Sequence, residues 1–254
     1  MNLSMGEIVP DFGKVRPLAG GFIPRSKLLQ SFSSQRCRCF NEGNVMKITV
    51  IGAGNMGAAF VKQLTRAGHQ VSVTARDSAK AQAIASANTG ARAVAAAGAA
   101  DDADLVVLAT GYADAVDALR SVGDLSGKPV LDITNPLTAD YMGLTLGHST
   151  SAGEELAKAF PGAAFVKGFN TVFAQVLADG PYLGGQTVSV FLASDSERAK
   201  QTARAVAESL GFAVVDAGSL KNARYLEPLA GLNIYLGYGA GLGTNIAPTW
   251  IRKA

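Results

Sequence analysis

Met46-Lys47-Ile48-Thr49-Val50-Ile51-Gly52-Ala53-Gly54-Asn55-Met56-Gly57 is the stretch on which the fold turns. Met46–Ile51 is apolar or β-branched apart from Lys47 and reads as a buried strand, and Ala58–Ala67 reads as a helix stopped by Gly68. A G-x-G-x-x-G hexapeptide is a weak signal by itself in a chain with 29 glycines, so its context decides. Here it leaves a strand and enters a helix. Gln70–Ala75 then alternates as a second strand, and Asp77 or Ser78 can cap a helix over Ala79–Ala87. A strand-helix-strand unit is therefore complete within about 30 residues.

Working outward, strands are predicted at Ala91–Val94, Asp104–Ala109 and Pro129–Ile133, separated by helical or turn segments. This alternation predicts an α/β fold with a Rossmann-type doubly wound parallel sheet, extended by a smaller C-terminal α/β part. Ser151-Ala152-Gly153-Glu154 is a capping-box pattern ahead of a helix to Phe160, and Ala163–Lys167 is strand-like. Thr187–Leu192 and Phe212–Asp216 read as strands around a helix over Asp195–Leu210, and Leu220–Leu236 as a last helix containing Pro228. The alternating glycines of 237–243 predict a loop or close backbone contact, packing across a homodimer or covering a pocket. The expected organisation is an extension over 1–45, a nucleotide-binding domain over 46–136, and a part over 137–254 that completes the sheet and an acceptor pocket.

Residues 1–45 have no sustained periodicity and read as a disordered or non-native extension ahead of a start at Met46. A targeting peptide fits less well, because Glu7, Asp11 and Glu42 are acidic and no apolar centre is present. This segment holds six Lys or Arg and three Asp or Glu, which accounts for the net charge of +3, so the remainder is neutral and offers no electrostatic footprint for nucleic acid. Both cysteines, Cys37 and Cys39, also lie in it, leaving no disulfide framework or metal cluster for the rest. With no apolar run long enough to span a bilayer, the expectation is a cytoplasmic protein without a membrane partner.

Within the glycine motif, Gly52 permits a tight turn, Gly54 lets backbone approach a pyrophosphate, and Gly57 allows close helix–strand packing. Asn55 and Met56, between the second and third glycines, are candidate cofactor contacts, and the N-terminus of the following helix offers free N–H groups and a positive dipole to phosphates. The bland reading is a packing turn. An acidic residue ending the second strand would select NAD, but Thr74-Ala75-Arg76 stands there. Arg76, with Ser78 and Lys80 close behind, can pair with a 2′-phosphate, which favours NADP as cofactor. The counter-reading makes Asp77 the ribose acid and Arg76 a solvated charge. Thr110 and Gly111 after the fourth strand and Asn135 and Pro136 after the fifth lie where a doubly wound sheet meets its ligand, although Asn-Pro is also a plain turn.

With these residues in place, the chain resembles the NADP oxidoreductases dependent on coenzyme F420, a deazaflavin, and is similar to the oxidoreductase domain of the STEAP metalloreductases. The resemblance covers most of Met46 to Leu232. It rests on the glycine motif, Arg76, TNPL at Thr134–Leu137, TSAGEELAKAFPGAAFVKGFNTV at Thr150–Val172, and DAGSLKNARYLEPLA at Asp216–Ala230. The resemblance implies a small C-terminal part closing over the nicotinamide, with a flavin-like small-molecule substrate docking face to face. It also implies that Asn170 and the Gly218–Leu220 turn lie near that pocket. Coenzyme F420, FMN and FAD all remain open as acceptor.

Hydride transfer between two ring systems asks little of side chains beyond near-attack positioning, so a catalytic acid or base need not exist. The chain has two histidines. His69, before the second strand, reads as structural, whereas His148 is the one candidate for a protonic part, against a plain loop or capping role. Tyr225 and Glu227 read as packing and capping residues. Two rival functions stay open: an NADP-dependent reductase of a small carbonyl or imine, and a non-catalytic NADP(H) sensor.

Overall fold

The computed structural model describes residues 45–250. The expectations for the N-terminal extension, Cys37 and Cys39 included, fall outside the described residues save at Val45. The chain runs β1 (Lys47–Ile51), α1 (Asn55–Arg66), β2 (Gln70–Thr74), α2 (Ser78–Ser86), β3 (Ala91–Ala93) and β4 (Leu105–Leu108). A 3-10 turn at Tyr112–Asp114 then leads into α3 (Ala115–Ser121), β5 (Pro129–Asp132), α4 (Ala152–Ala159), β6 (Ala164–Lys167) and α5 (Ala174–Asp179). A short hairpin, β7 (Tyr182–Leu183) and β8 (Gln186–Thr187), precedes β9 (Ser189–Leu192), α6 (Glu197–Ser209), β10 (Ala213–Asp216) and α7 (Ala223–Ile234).

Six strands form a parallel sheet in the order β3-β2-β1-β4-β5-β6. The order reverses between β1 and β4, and ligands of such sheets bind in the crevice beyond the carboxyl ends at that point. Every residue of β4 and β5 is buried, because helices cover both faces of a parallel sheet. On one face Phe60 of α1 packs edge-on against Phe169, with ring centroids 5.0 Å apart, and Phe169 in turn against Phe212 at 5.4 Å. The other face buries Leu119, Leu125 and Leu156. Each such side chain contributes about 1.5–3 kcal/mol on burial.

Beyond β6 the direction changes. The parallel pair β9 and β10 joins the sheet through an antiparallel bridge, in which Lys167 N–H donates to the Ala193 carbonyl at 2.8 Å and Ala193 N–H returns to Lys167 at 3.0 Å. Local capping sets the helix starts. The Asp77 carboxylate accepts from Lys80 N–H at 3.1 Å, and the Ser151 hydroxyl accepts from Glu154 N–H at 3.2 Å while donating to the Glu154 carboxylate at 2.8 Å.

Four features differ from the reading of the sequence. α1 begins at Asn55, three residues before the apolar period becomes visible, so Gly57 lies inside the helix. α5 and the β7–β8 hairpin were unforeseen, being too short to show a period. The expected loop at 237–243 is helical at its start: α7 continues as a π-helical turn over Tyr235–Gly239. The expected close approach is present, since a Cβ on Gly237 would stand 2.7 Å from the Phe173 ring.

Candidate functional site

Two clefts open at the carboxyl end of the sheet, one on each side of the N-terminus of α1. The first, of about 520 Å³, is lined by Gly52, Gly54, Thr74, Arg76, Lys80, Thr110 and Gly111 among others. Gly52 has φ of 120°, and a Cβ there would lie 2.4 Å from the Ala109 carbonyl oxygen. A Cβ on Gly57 would lie 2.0 Å from the Gly52 carbonyl oxygen. The first and third glycines are therefore required by backbone packed against backbone. Gly54 is different: a Cβ there would meet nothing within 4 Å, so this glycine keeps open space open. It is also the N-cap of α1, with no side chain capping the helix, which leaves first-turn N–H groups available to an anion. The Thr110 hydroxyl is buried without a partner. An uncapped helix start, a vacant glycine cradle and an orphaned hydroxyl together fit the pyrophosphate and ribose of a dinucleotide.

At the rim, Asp77 is occupied in capping α2, and the Lys80 ammonium stands 3.7 Å from its carboxylate. The Arg76 guanidinium makes a two-pronged pair with Asp114, both contacts at 3.1 Å. Asp114 belongs to the turn after β4, so this pair spans the cleft between the ends of β2 and β4. Ser78, the first residue of α2, is exposed and does not line the cleft.

The second cleft, of about 240 Å³, begins where Asn55 and Met56 open α1 and is walled by Asn135, Asn170, Thr171, Phe173 and Tyr238. The two asparagines hold each other: Asn135 Nδ2 donates to the Asn170 carbonyl at 2.9 Å, and Asn170 Nδ2 to Asn135 Oδ1 at 3.0 Å and to the Leu226 carbonyl at 2.9 Å. Asn170 Oδ1 and Thr171 Oγ1 are buried and unpartnered. Phe169, just before them, has φ of 58°, costly for an aromatic residue, and its fully buried ring holds it there. Phe173 packs edge-on against Tyr238 at 5.7 Å, so the π-helical turn forms part of the wall. Among the described residues, no charged side chain lines this cleft.

Pro136 is buried outside both clefts, where its carbonyl accepts from Thr145 N–H at 2.7 Å. His148 is exposed, lines neither cleft, and has φ of 56°. The Gly218–Leu220 turn also lies away from the clefts, with Leu220 packed toward α4. His69 is structural: Nδ1 accepts from Met46 N–H at 3.2 Å and Nε2 faces the Ser209 hydroxyl at 2.9 Å, while burial pushes its pKa below the usual histidine value.

The reading of the sequence missed Asp114 and a buried ionic cluster beside the start of α4. Lys167 is wholly buried, its ammonium 2.9 Å from Asp132, 2.8 Å from Glu227 and 2.5 Å from the Thr134 carbonyl. Burial works to lower its pKa, but the carboxylates of Asp132 and Glu227 outweigh burial and hold it above the usual lysine value. Glu227 also accepts from Ala152 N–H at 2.9 Å and Gly153 N–H at 3.1 Å, which makes it the cap of α4. Charges on β5, β6 and α7 thus lock the C-terminal helix to the sheet. The signal was present in Asp132 and Lys167 ending otherwise apolar strands.

The sheet order and the glycine cradle at its switch point define a Rossmann-type dinucleotide-binding protein. A family model described as "NADP oxidoreductase coenzyme F420-dependent" matches residues 47–136. A solved structure of a candidate F420-dependent NADP-reductase from Arthrobacter sp. FB24 is 31% identical, with a TM-score of 0.75, and the match covers 82% of this chain and 100% of that one. The chain belongs to this family of coenzyme F420-dependent NADP oxidoreductases and is an NADP-dependent oxidoreductase. Metalloreductase STEAP3 of Rattus norvegicus is 34% identical over 125 residues, 49% of this chain but only 24% of that protein. A reductive aminase from Aspergillus terreus shares the fold at 22% identity and a TM-score of 0.57.

Proposed function

We propose that the chain transfers hydride between NADP(H) in the first cleft and a flavin-like ring, that of coenzyme F420, FMN or FAD, in the second. The observation that carries this reading is the placement of the α1 N-terminus between an anion-binding cradle and a pocket walled by aromatic rings and amides. In this reading Gly52, Gly54 and Gly57 shape the pyrophosphate turn, and Arg76 and Lys80 meet the 2′-phosphate. Thr74, Thr110 and Gly111 bound the adenosine side. Asn55, Met56, Asn135 and Asn170 border the nicotinamide, with Asn170 Oδ1 and Thr171 Oγ1 free to accept from a carboxamide. When bound, the nicotinamide would donate the hydride in its reduced form and accept it in its oxidised form. The chain's residues bind, orient and exclude water, and a pocket lined by amides and aromatics suits a reaction that needs no protein acid or base.

The test follows NADPH absorbance with coenzyme F420, FMN, FAD and riboflavin offered in turn, and NADH as control. Rapid NADPH oxidation with one or more of these acceptors supports the proposal. NADPH binding without turnover against any of them overturns it, and directs attention to a small carbonyl or imine substrate or to a sensor.

A further inference from the structure

Asp114 is the last residue of the 3-10 turn that runs directly into α3, and its side chain makes no hydrogen bond to that helix. Its two oxygens instead take Nη1 and Nη2 of Arg76 at 3.1 Å each, end-on, while the Arg76 side chain is 86% exposed. Both residues line the first cleft. A carboxylate in that position neutralises the cation that a 2′-phosphate would seek, and it repels the phosphate itself. An adenosine ribose with a free 2′-hydroxyl suffers no such repulsion and can donate to the same carboxylate.

We propose that Asp114 is a specificity-determining residue that competes with the 2′-phosphate for Arg76 and so limits the preference for NADP(H) over NAD(H). This rests on the reading above, in which Arg76 meets the 2′-phosphate. Binding of the phosphorylated nucleotide then exchanges one Arg76 partner for another. The exchange is between exposed charges, so its effect is modest and screened by salt.

The experiment measures dissociation constants of NADPH, NADH, adenosine 2′,5′-bisphosphate and AMP for the wild type, Asp114→Asn, Asp114→Ala, Arg76→Ala and the Arg76→Ala/Asp114→Asn double variant. Removing the Asp114 charge is expected to raise the NADPH-to-NADH affinity ratio about five-fold at low salt, and the ratio for the two adenosine probes likewise. The gain should shrink as ionic strength rises and be smaller when Arg76 is alanine, where only the direct repulsion of the phosphate is relieved. An unchanged or reduced ratio in both Asp114 variants overturns the proposal, since it would mean that Asp114 merely holds Arg76 in place or is inert. Should Arg76→Ala lower NADPH and NADH affinity equally, the reading of Arg76 itself fails, and that outcome is distinct from the first.

Discussion

Replacing Gly54 and Gly57 separately by alanine should split binding from stability, because one Cβ enters open space and the other enters backbone. At Gly57 the new carbon would stand 2.0 Å from the Gly52 carbonyl oxygen and 2.9 Å from its carbon, and neither atom belongs to a side chain that can rotate away. Relieving this contact requires α1 to move off the sheet. The clash costs about 3 kcal/mol, the upper end for overpacking, and the gain in helix propensity returns about 1 kcal/mol. A net loss of about 2 kcal/mol lowers the melting temperature by roughly 4–8 °C for a domain of this size. At Gly54 no atom lies within 4 Å of the new carbon and φ is −83°, so only the poorer N-cap matters, at under about 1 kcal/mol. That methyl would instead fill the cradle. NADPH affinity should fall at least about ten-fold, or about 1.4 kcal/mol. Thermal melts without nucleotide and fluorescence titrations with NADPH read the two effects. Wild-type affinity in Gly54→Ala would refute the placing of the pyrophosphate, and wild-type stability in Gly57→Ala would refute the packing argument.

Arg76→Ala should weaken NADPH binding at least about ten-fold more than NADH binding, with the difference narrowing in high salt, as titrations at two ionic strengths will show. Lys167→Met leaves the buried carboxylates of Asp132 and Glu227 without their cation, and urea unfolding should register a loss of about 3–5 kcal/mol. Adding Glu227→Gln should recover part of it, and a wild-type midpoint for Lys167→Met would show that the cluster contributes nothing. His69 has a folded pKa below its unfolded value of 6.5, so the unfolded chain takes up the proton first. Its contribution is full above pH 6.5 and is lost as pH falls through the folded pKa. Stability measured from pH 7 to pH 5 should therefore decline, and His69→Gln should flatten that limb.

The nucleotide half was legible because its determinants are local. An apolar strand, glycines at fixed offsets and an apolar helix period are written within consecutive residues, and the sheet order then follows from the handedness and adjacency of strand-helix-strand units. Asp77 could be read both as a ribose acid and as a cap; its bond to Lys80 N–H shows the capping role. Asn135 and Asn170 were singled out separately, 35 residues apart, and only the pairing of β5 with β6 brings them to one wall. Asp114, placed in an unremarkable turn, carried no visible signal because its partner lies on another strand end.

By itself, then, the sequence determined the fold class, the glycine cradle and the charge at the end of β2, since short-range sterics and periodicity decide all three. Tertiary structure decided what those features face. It set Asp114 opposite Arg76, buried Lys167 between two carboxylates, and left His148 outside the clefts. Each of these depends on contacts between residues distant in the chain, and no local pattern encodes the direction in which a side chain meets a neighbour that only the folded sheet supplies.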